Sequence, residues 1–480
     1  MLGQNKRISR RIFLGGAIFI LSYILVERLG LLHLLKAYGP KSKGPIRPEN
    51  LNKYSNGLDS ETKRVLVERA KTLLHKNMLI GKATDGTDEF EYLYIRPAVP
   101  KYPHQWLWDS SFHAIVTGRH FDKMYSRREI ESLLEGIHAD GLLPSIIYWD
   151  GLNTWFEGAM LSFIGYGQST NLTQPPVVAM ALEELFNASR DQSLLVHLLP
   201  KVEKYFAWLG KYRDPDHDSL ISIVHPWEGL DASPVFDTFL GLNSPQVWDF
   251  YPKVYELIFK YKSMKWDHQM IVESNVFNVE YLVFNCIYAQ GLRAIGRMRN
   301  ALGDHDKPQW YDDLADQVEN AIFALCWNDK DQIFYDIAGH THAQILVKSV
   351  SSLFPIILDK IPRRMISALV EKHLTNENEF WTPYPIPSVA KSEFTFNPDD
   401  APLTWRGPTW ININWLIVRG LEKHGYSDVA REIARRSIAL VDQSGYWEFY
   451  NPITGEPGGQ SDYSWSTLAL DFLGLLGDKD

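Results

Sequence analysis

405-WRGPTWININWLIVRGLEKHGYSDVAREIARRSIAL-440 reads as two helices joined by a tight turn. After Gly407-Pro408, the residues Trp410, Ile413, Ile417 and Leu421 recur at helical spacing and mark one apolar face. Gly425 supplies the stop, Ser427 is placed to cap the next helix, and Val429, Ile433 and Leu440 continue the stripe. A connection this short leaves the two helices antiparallel neighbours. The pattern recurs over 308–326, where Leu314, Val318, Ile322 and Leu325 share a face and Pro308 stands near the start. Further helices are expected near 60–76, 109–119, 126–138, 174–188, 191–211, 248–263, 273–302, 362–374 and 464–476. From about Ser60 onward the chain is therefore expected to be all-α.

An internal echo shows how such hairpins are arranged. Long helices end in an acidic turn followed by a short β-like run at 214-DPDHDSLISIV-224 and 329-DKDQIFYDI-337, more loosely at 446-YWEFYNPITGE-456. Hairpins that stack with a regular period bury a continuous core, here by closing into an (α/α)6 barrel with short β-hairpins in the loops and a loop-lined funnel at one end. Asp214, Asp216 and Asp218 have the spacing of the first half of a calcium loop, but the Gly and distal Glu of an EF-hand are missing, so a solvated turn is the simpler reading.

With 480 residues and 45% hydrophobic content the chain can bury a large core, so order is expected away from the ends. A net charge of -9 argues against nucleic acid, whose phosphates require clustered cations. Cys286 and Cys326 lie in apolar runs too far apart for a metal clip and read as buried small hydrophobes. At the N-terminus, Lys6, Arg7, Arg10 and Arg11 precede the uncharged stretch 12–26, and 9-SRRIFLG-15 resembles a twin-arginine export signal. Residues 1–37 are thus expected to be an export signal or membrane anchor, placing an exported bacterial protein in the periplasm or tethered at the membrane. Residues 38–58 read as a linker and 59–480 as the catalytic domain.

The 16 Trp are concentrated in part in polar, Gly/Pro-punctuated stretches such as 102-YPHQWLWDSSFH-113 and 225-HPWEGLDASP-234, where core packing alone accounts for them poorly. A ring beside carboxylates and amides offers a flat face to a sugar and partners for its hydroxyls. Cleaving a glycosidic bond needs one carboxyl that is protonated and another that is ionised, hence two acids in different surroundings. Asp231 and Glu228, beside Trp227, are candidates for the first; Glu448, between aromatics in 446-YWEFYNP-452, is a candidate for the second. Asp109 is placed either to cap a helix or, with Trp106, Phe112 and His113 around it, to bind sugar hydroxyls. Asn412 and Asn414 sit in an apolar helix and need partners, a structural hydrogen bond being the simpler reading for Asn414. Arg406 is placed to hold a carboxylate, the enzyme's own or a ligand's.

Taken in order, WDSSFH, NLTQPPVVA (171–179), HPWEGLDASP, PYPIPSVA (383–390), RGPTWININWL and the EFYNPITGEP…DYSWSTLAL tail resemble glycoside hydrolase family 63, in its bacterial mannosylglycerate hydrolase and glucosidase-like branch, over roughly residues 90–475. The resemblance implies an inverting hydrolase of α-linked glucosides or mannosides, with Asp231 in the place of the general acid and Glu448 in that of the general base. It places Asp109, Gln174, Trp227, Arg406 and Trp410 near the bound sugar. Trp106, Phe112, Glu228, Gly407, Asn412 and Trp465 are further substrate-binding candidates. No metal or organic cofactor is implied, and the partner is a small carbohydrate. The family's loop commonly reads HPWESGMDNSP; here it is a residue shorter, with Ala232 for Asn, which makes Glu228 the alternative donor. The looser likeness to trehalases leaves open another sugar-active enzyme on the same barrel, such as a trehalase, phosphorylase or epimerase, or a membrane-tethered sugar-binding protein without catalysis.

Overall fold

Connection lengths organise the molecule. The computed structural model describes residues 54, 57–84, 89–149, 151, 165–166, 168–243, 247–399 and 404–477, so the expected export segment and most of the linker lie outside the described residues. Helices Leu107–His120, Val178–Ser189, Leu282–Ala301 and Ile411–Lys423 each pass through a short link into a partner, respectively Lys123–Glu135, Gln192–Tyr212, Lys307–Ala321 and Ser427–Ser444. The 3-10 segment Val350–Ile357 does the same into Arg363–Leu374, and Ser464–Phe472 is backed by the first helix, Ser60–Asn77.

The first members of these pairs form a closed inner ring. Leu107–His120 packs on Val178–Ser189, which packs on Leu282–Ala301, then Val350–Ile357, Ile411–Lys423 and Ser464–Phe472, which returns to Leu107–His120. Their partners form the outer layer, and the result is an (α/α)6 barrel. Burial follows the layers. Every residue from Leu107 to Gly118 of an inner helix is buried, whereas the outer helix Ser427–Ser444 buries a stripe of Ala430, Ile433, Ala434, Ser437, Ile438 and Leu440 and leaves its other face to solvent.

Because the chain alternates inner and outer elements, the inner ones all enter the barrel from the same end, and that end receives the long connections. The short strands lie in these connections: the hairpin Met78–Thr84 with Glu89–Ile95, the hairpin Trp327–Asn328 with Ile333–Phe334, the hairpin Trp447–Tyr450 with Pro457–Ser461, and two four-stranded sheets. One of those sheets orders Ala343–Gln344, Ile337–Ala338, Val279–Glu280 and Ser222–Ile223 side by side. Among the described residues, no helix is long and apolar enough to cross a membrane.

Several expected boundaries move for local reasons. The helix expected from 174 starts at Val178, because Pro175 and Pro176 hold the preceding chain extended. The single helix expected over 273–302 is split into His268–Glu273 and Leu282–Ala301 by the strand Val279–Glu280. Gly425, at φ 83°, ends its helix as expected, but Ser427 is the first residue of the next helix and Tyr426 occupies the cap position with no side-chain bond. Cys286 and Cys326 are buried free thiols.

Candidate active site

The mouth of the barrel gathers the N-terminal ends of the inner elements. Asp109 lies in the first turn of Leu107–His120, Gln174 just before Val178, Trp410 at the start of Ile411–Lys423, and Tyr463 and Trp465 at the start of Ser464–Phe472. Their rings form a continuous wall. Trp405 stacks on Trp410 with centroids 3.7 Å apart and planes 7° from parallel. Trp465 meets Trp410 edge-on at 5.7 Å and Trp108 at 5.4 Å, and Tyr463 packs on Trp465 at 4.7 Å. Tyr102 continues the wall from Tyr463 to Trp106, at 5.8 Å from each.

Glu448 is set into this wall by the strand Trp447–Tyr450, which Thr409 tethers to the inner helix through paired backbone bonds with Tyr450. Its carboxylate is held at both oxygens: the Tyr102 hydroxyl donates to Oε1 at 3.0 Å and the Gln460 amide to Oε2 at 2.9 Å. The second bond needs the hairpin partner to pass directly over the carboxylate. Gly459 permits that approach, with φ 73° and no Cβ; a Cβ there would stand 2.4 Å from Glu448 Oε2. Burial raises the Glu448 carboxyl above the ordinary range, while Lys101 and the bonds from Tyr102 and Gln460 hold it back.

Asp231 reaches the same space from the loop that follows the strand Ser222–Ile223. It is exposed while its neighbours Leu230 and Ala232 are buried, so the loop is anchored on both sides of the acid. Behind it, Gly229 lies against the Tyr281 ring, and Ser233 caps the turn Pro234–Phe236. The protein walls around Asp231 still strip enough water to push its carboxyl up to about 7, and the charge of Glu448 adds to the rise. Asp109, buried and approached by the Tyr463 hydroxyl at 3.5 Å, is raised well above the ordinary range by burial and then by Glu448. Asp231, Glu448, Asp109, Tyr102 and Lys101 thus share one electrostatic field.

Other candidates are placed differently. Glu228 is fully buried and faces away from any donor role: Arg213 Nη1 and Nη2 bond its two oxygens at 2.7 and 2.6 Å, and the amides of Thr173 and Val224 complete its shell. Removing one partner from such a pair strands a charge and typically costs about 3–5 kcal/mol, so Glu228 serves to fasten the acid's loop to the barrel. Arg406 holds the enzyme's own Asp237 with both terminal nitrogens. Phe112 is core, wedged between Trp108 and Trp415 with no exposed surface, because it lies a helical turn farther into the barrel. Gly407 is needed for backbone approach, since a Cβ would meet Pro398 N at 2.7 Å. Asn414 bonds Ile386 N, Pro385 O and Ser437, a structural role, whereas the buried Asn412 amide has no partner among the described residues. Trp227 packs edge-on against His225 and Tyr255. Gln174 Oε1 accepts from Trp108 N at 3.4 Å, and Trp465 Nε1 donates to the Glu448 carbonyl at 3.4 Å. Tyr102, Tyr463, Trp405 and Lys101 are not singled out by the sequence; the first lies within the quoted aromatic stretch, but nothing local tells it from a core tyrosine.

A family model described as the mannosylglycerate hydrolase MGH1-like glycoside hydrolase domain matches residues 102–466. The chain belongs to this family. It is therefore a glycoside hydrolase, and the match covers the ring wall and both carboxylates. The mannosylglycerate hydrolase of Thermus thermophilus is 28% identical over 410 residues, covering 78% of this chain and 95% of that protein. The glucosylglycerate hydrolase of Mycolicibacterium hassiacum is 22% identical over 426 residues, covering 78% and 92%. The crystal structure of a family 63 mannosylglycerate hydrolase from Thermus thermophilus, in complex with Tris and D-glycerate, superposes with a TM-score of 0.75 at 27% identity, covering 85% of this chain and 99% of that one.

Proposed function

We propose that this glycoside hydrolase cleaves the α-linkage of a small glycosylglycerate, a mannoside or glucoside, with inversion of configuration. Asp231 donates its proton to the glycosidic oxygen as the bond from that oxygen to the anomeric carbon breaks. Glu448 takes a proton from a water molecule whose oxygen bonds to the anomeric carbon on the opposite face. Such enzymes separate their carboxyls by about 6.5–9.5 Å to leave room for the water. The observation that carries the reading is the unequal treatment of the two acids: Asp231 is pushed up to about 7 with no side-chain hydrogen bond among the described residues, while Glu448 has a donor on each oxygen. The first arrangement suits an acid at neutral pH and the second a base. Asp109, whose carboxyl burial and the nearby Glu448 raise above the ordinary range, hydrogen-bonds a sugar hydroxyl, and the Trp410–Trp465 wall stacks on the ring face.

The aglycone follows from a cation. Lys101 stands exposed at the rim with Nζ 4.8 Å from the Tyr102 ring centroid, in the field of both catalytic acids. That position favours an aglycone bearing a carboxylate, as glycerate does, over a neutral sugar, in keeping with the names of the two relatives above. The full chain, assayed against mannosylglycerate, glucosylglycerate, trehalose and short α-glucobioses, is expected to release sugar fastest from a glycosylglycerate. Turnover confined to trehalose or a glucobiose contradicts the assignment.

A further inference from the structure

Away from Asp231 and Glu448, one sheet of the barrel mouth gathers a cluster of carboxylates with a histidine. The turn 214–220 carries three aspartates, and its own sequence offers no distal acid to complete a cation site. The fold brings that acid from elsewhere. Glu280, on the strand Val279–Glu280, projects into the turn, and His342 comes from the turn between the strands Ile337–Ala338 and Ala343–Gln344. One ligand-type atom from each of Asp216, Asp218, Glu280 and His342 lies within 4.8 Å of the others. His342 Nε2 is 3.3 Å from an oxygen of Asp216 and 3.3 Å from one of Asp218.

Glu280 is the telling member. It is 1% exposed, and neither of its oxygens receives a hydrogen bond from an N–H or O–H group of the described residues. Beside it stands another acid, Asp218, whose Oδ2 receives no hydrogen bond among them and faces His342 Nε2 at 3.3 Å. His342 Nε2 faces both Asp216 and Asp218 and His340 Nδ1 lies 3.7 Å from Asp216, but no N–H of the described residues bonds Glu280. Buried carboxylates are kept where they are paired or bind a metal.

We propose that Asp216, Asp218, Glu280 and His342 bind a divalent transition-metal ion of the Mn2+ or Zn2+ class. Three carboxylates supply hard oxygen donors, and the imidazole favours these ions over Ca2+. The site is structural. Its ligands fall on connections of the single sheet that includes Ser222–Ile223, the strand that launches the loop of Asp231, and Tyr281, next to Glu280, is the ring against which Gly229 rests. The bound ion therefore ties the root of the acid's loop to two other segments of the barrel mouth.

The test uses the full chain stripped with EDTA and titrated with MnCl2, reading free Mn2+ by electron paramagnetic resonance and the melting temperature in parallel. A single Mn2+ ion per chain is expected to bind and raise Tm, with ZnCl2 displacing it and equimolar CaCl2 leaving it in place. Glu280→Gln and His342→Ala are each expected to weaken binding by about 10-fold or more, within the range seen when a metal site loses support. Absence of binding to the wild-type chain overturns the proposal, as does wild-type affinity in Glu280→Gln. Displacement by Ca2+ with no effect of His342→Ala overturns the assignment of the imidazole. Should Glu280→Gln fail to fold, His342→Ala, on a partly exposed turn, decides alone.

Discussion

Replacing Glu448 by glutamine is expected to lower kcat by about 10³-fold while KM changes by less than about 3-fold, since general base catalysis is made mainly in the transition state. The loss corresponds to about 4 kcal/mol of barrier. Glutamine keeps the size of the side chain and the contact with Tyr102, so a folding defect would not imitate the effect. The companion variant Glu448→Ala opens space on the attacking side. Azide, which needs no deprotonation, is expected to restore turnover there and to yield a glycosyl azide of inverted configuration. Rescue giving a retained azide, or wild-type kcat in Glu448→Gln, would remove Glu448 from the role of base.

Asp231→Asn is expected to produce a loss of similar size on natural glycosides, about 10²–10⁴-fold in kcat, but one that depends on the leaving group. A nitrophenyl glycoside departs without protonation and is expected to recover most of the rate. The pH dependence separates the two acids further. In the proposed mechanism Asp231 works protonated, so with its carboxyl near 7 the wild-type rate is expected to fall as pH rises through about 7. Glu448 is proposed to work ionised, so the rate is expected to fall as pH drops through its own value, which burial lifts above the usual glutamate range. The outcome is a bell-shaped profile, and Asp231→Asn, assayed on the activated substrate, is expected to lose the alkaline limb alone. An alkaline limb that persists in this variant would assign the acid to another group.

Much of the barrel is legible in the sequence because apolar spacing and Gly or Pro punctuation are local signals. The stretch 405–440 shows this best, since its stripe, its stop at Gly425 and its short turn all reappear in the fold. Val350–Ile357 gives no such signal. It is a 3-10 element with Pro355 inside it, too short to show a period, and its place is fixed only by closure of the ring. The site divides along the same boundary. Asp231 and Glu448 stand out as acids in aromatic, turn-rich segments, and the fold carries both to the mouth. Glu228 looks equally suitable because its loop gives no hint of Arg213, which arrives from the end of a neighbouring helix and consumes both oxygens. Tyr102 and Lys101 acquire meaning only once Glu448, distant along the chain, is seen against them. The acidic turn at 214–218 reads as solvated for want of a distal glutamate, and Glu280 supplies one from a strand whose sequence merges into the helical pattern around it.

Proton NMR of the sugar released in the first minutes of hydrolysis by the wild-type enzyme, before mutarotation mixes the anomers, reports directly on whether water attacks in one step from the side opposite the leaving group. An α-glycoside is expected to give the β-anomer first. The α-anomer appearing first would mean a double displacement, and the division of labour between Asp231 and Glu448 would be wrong.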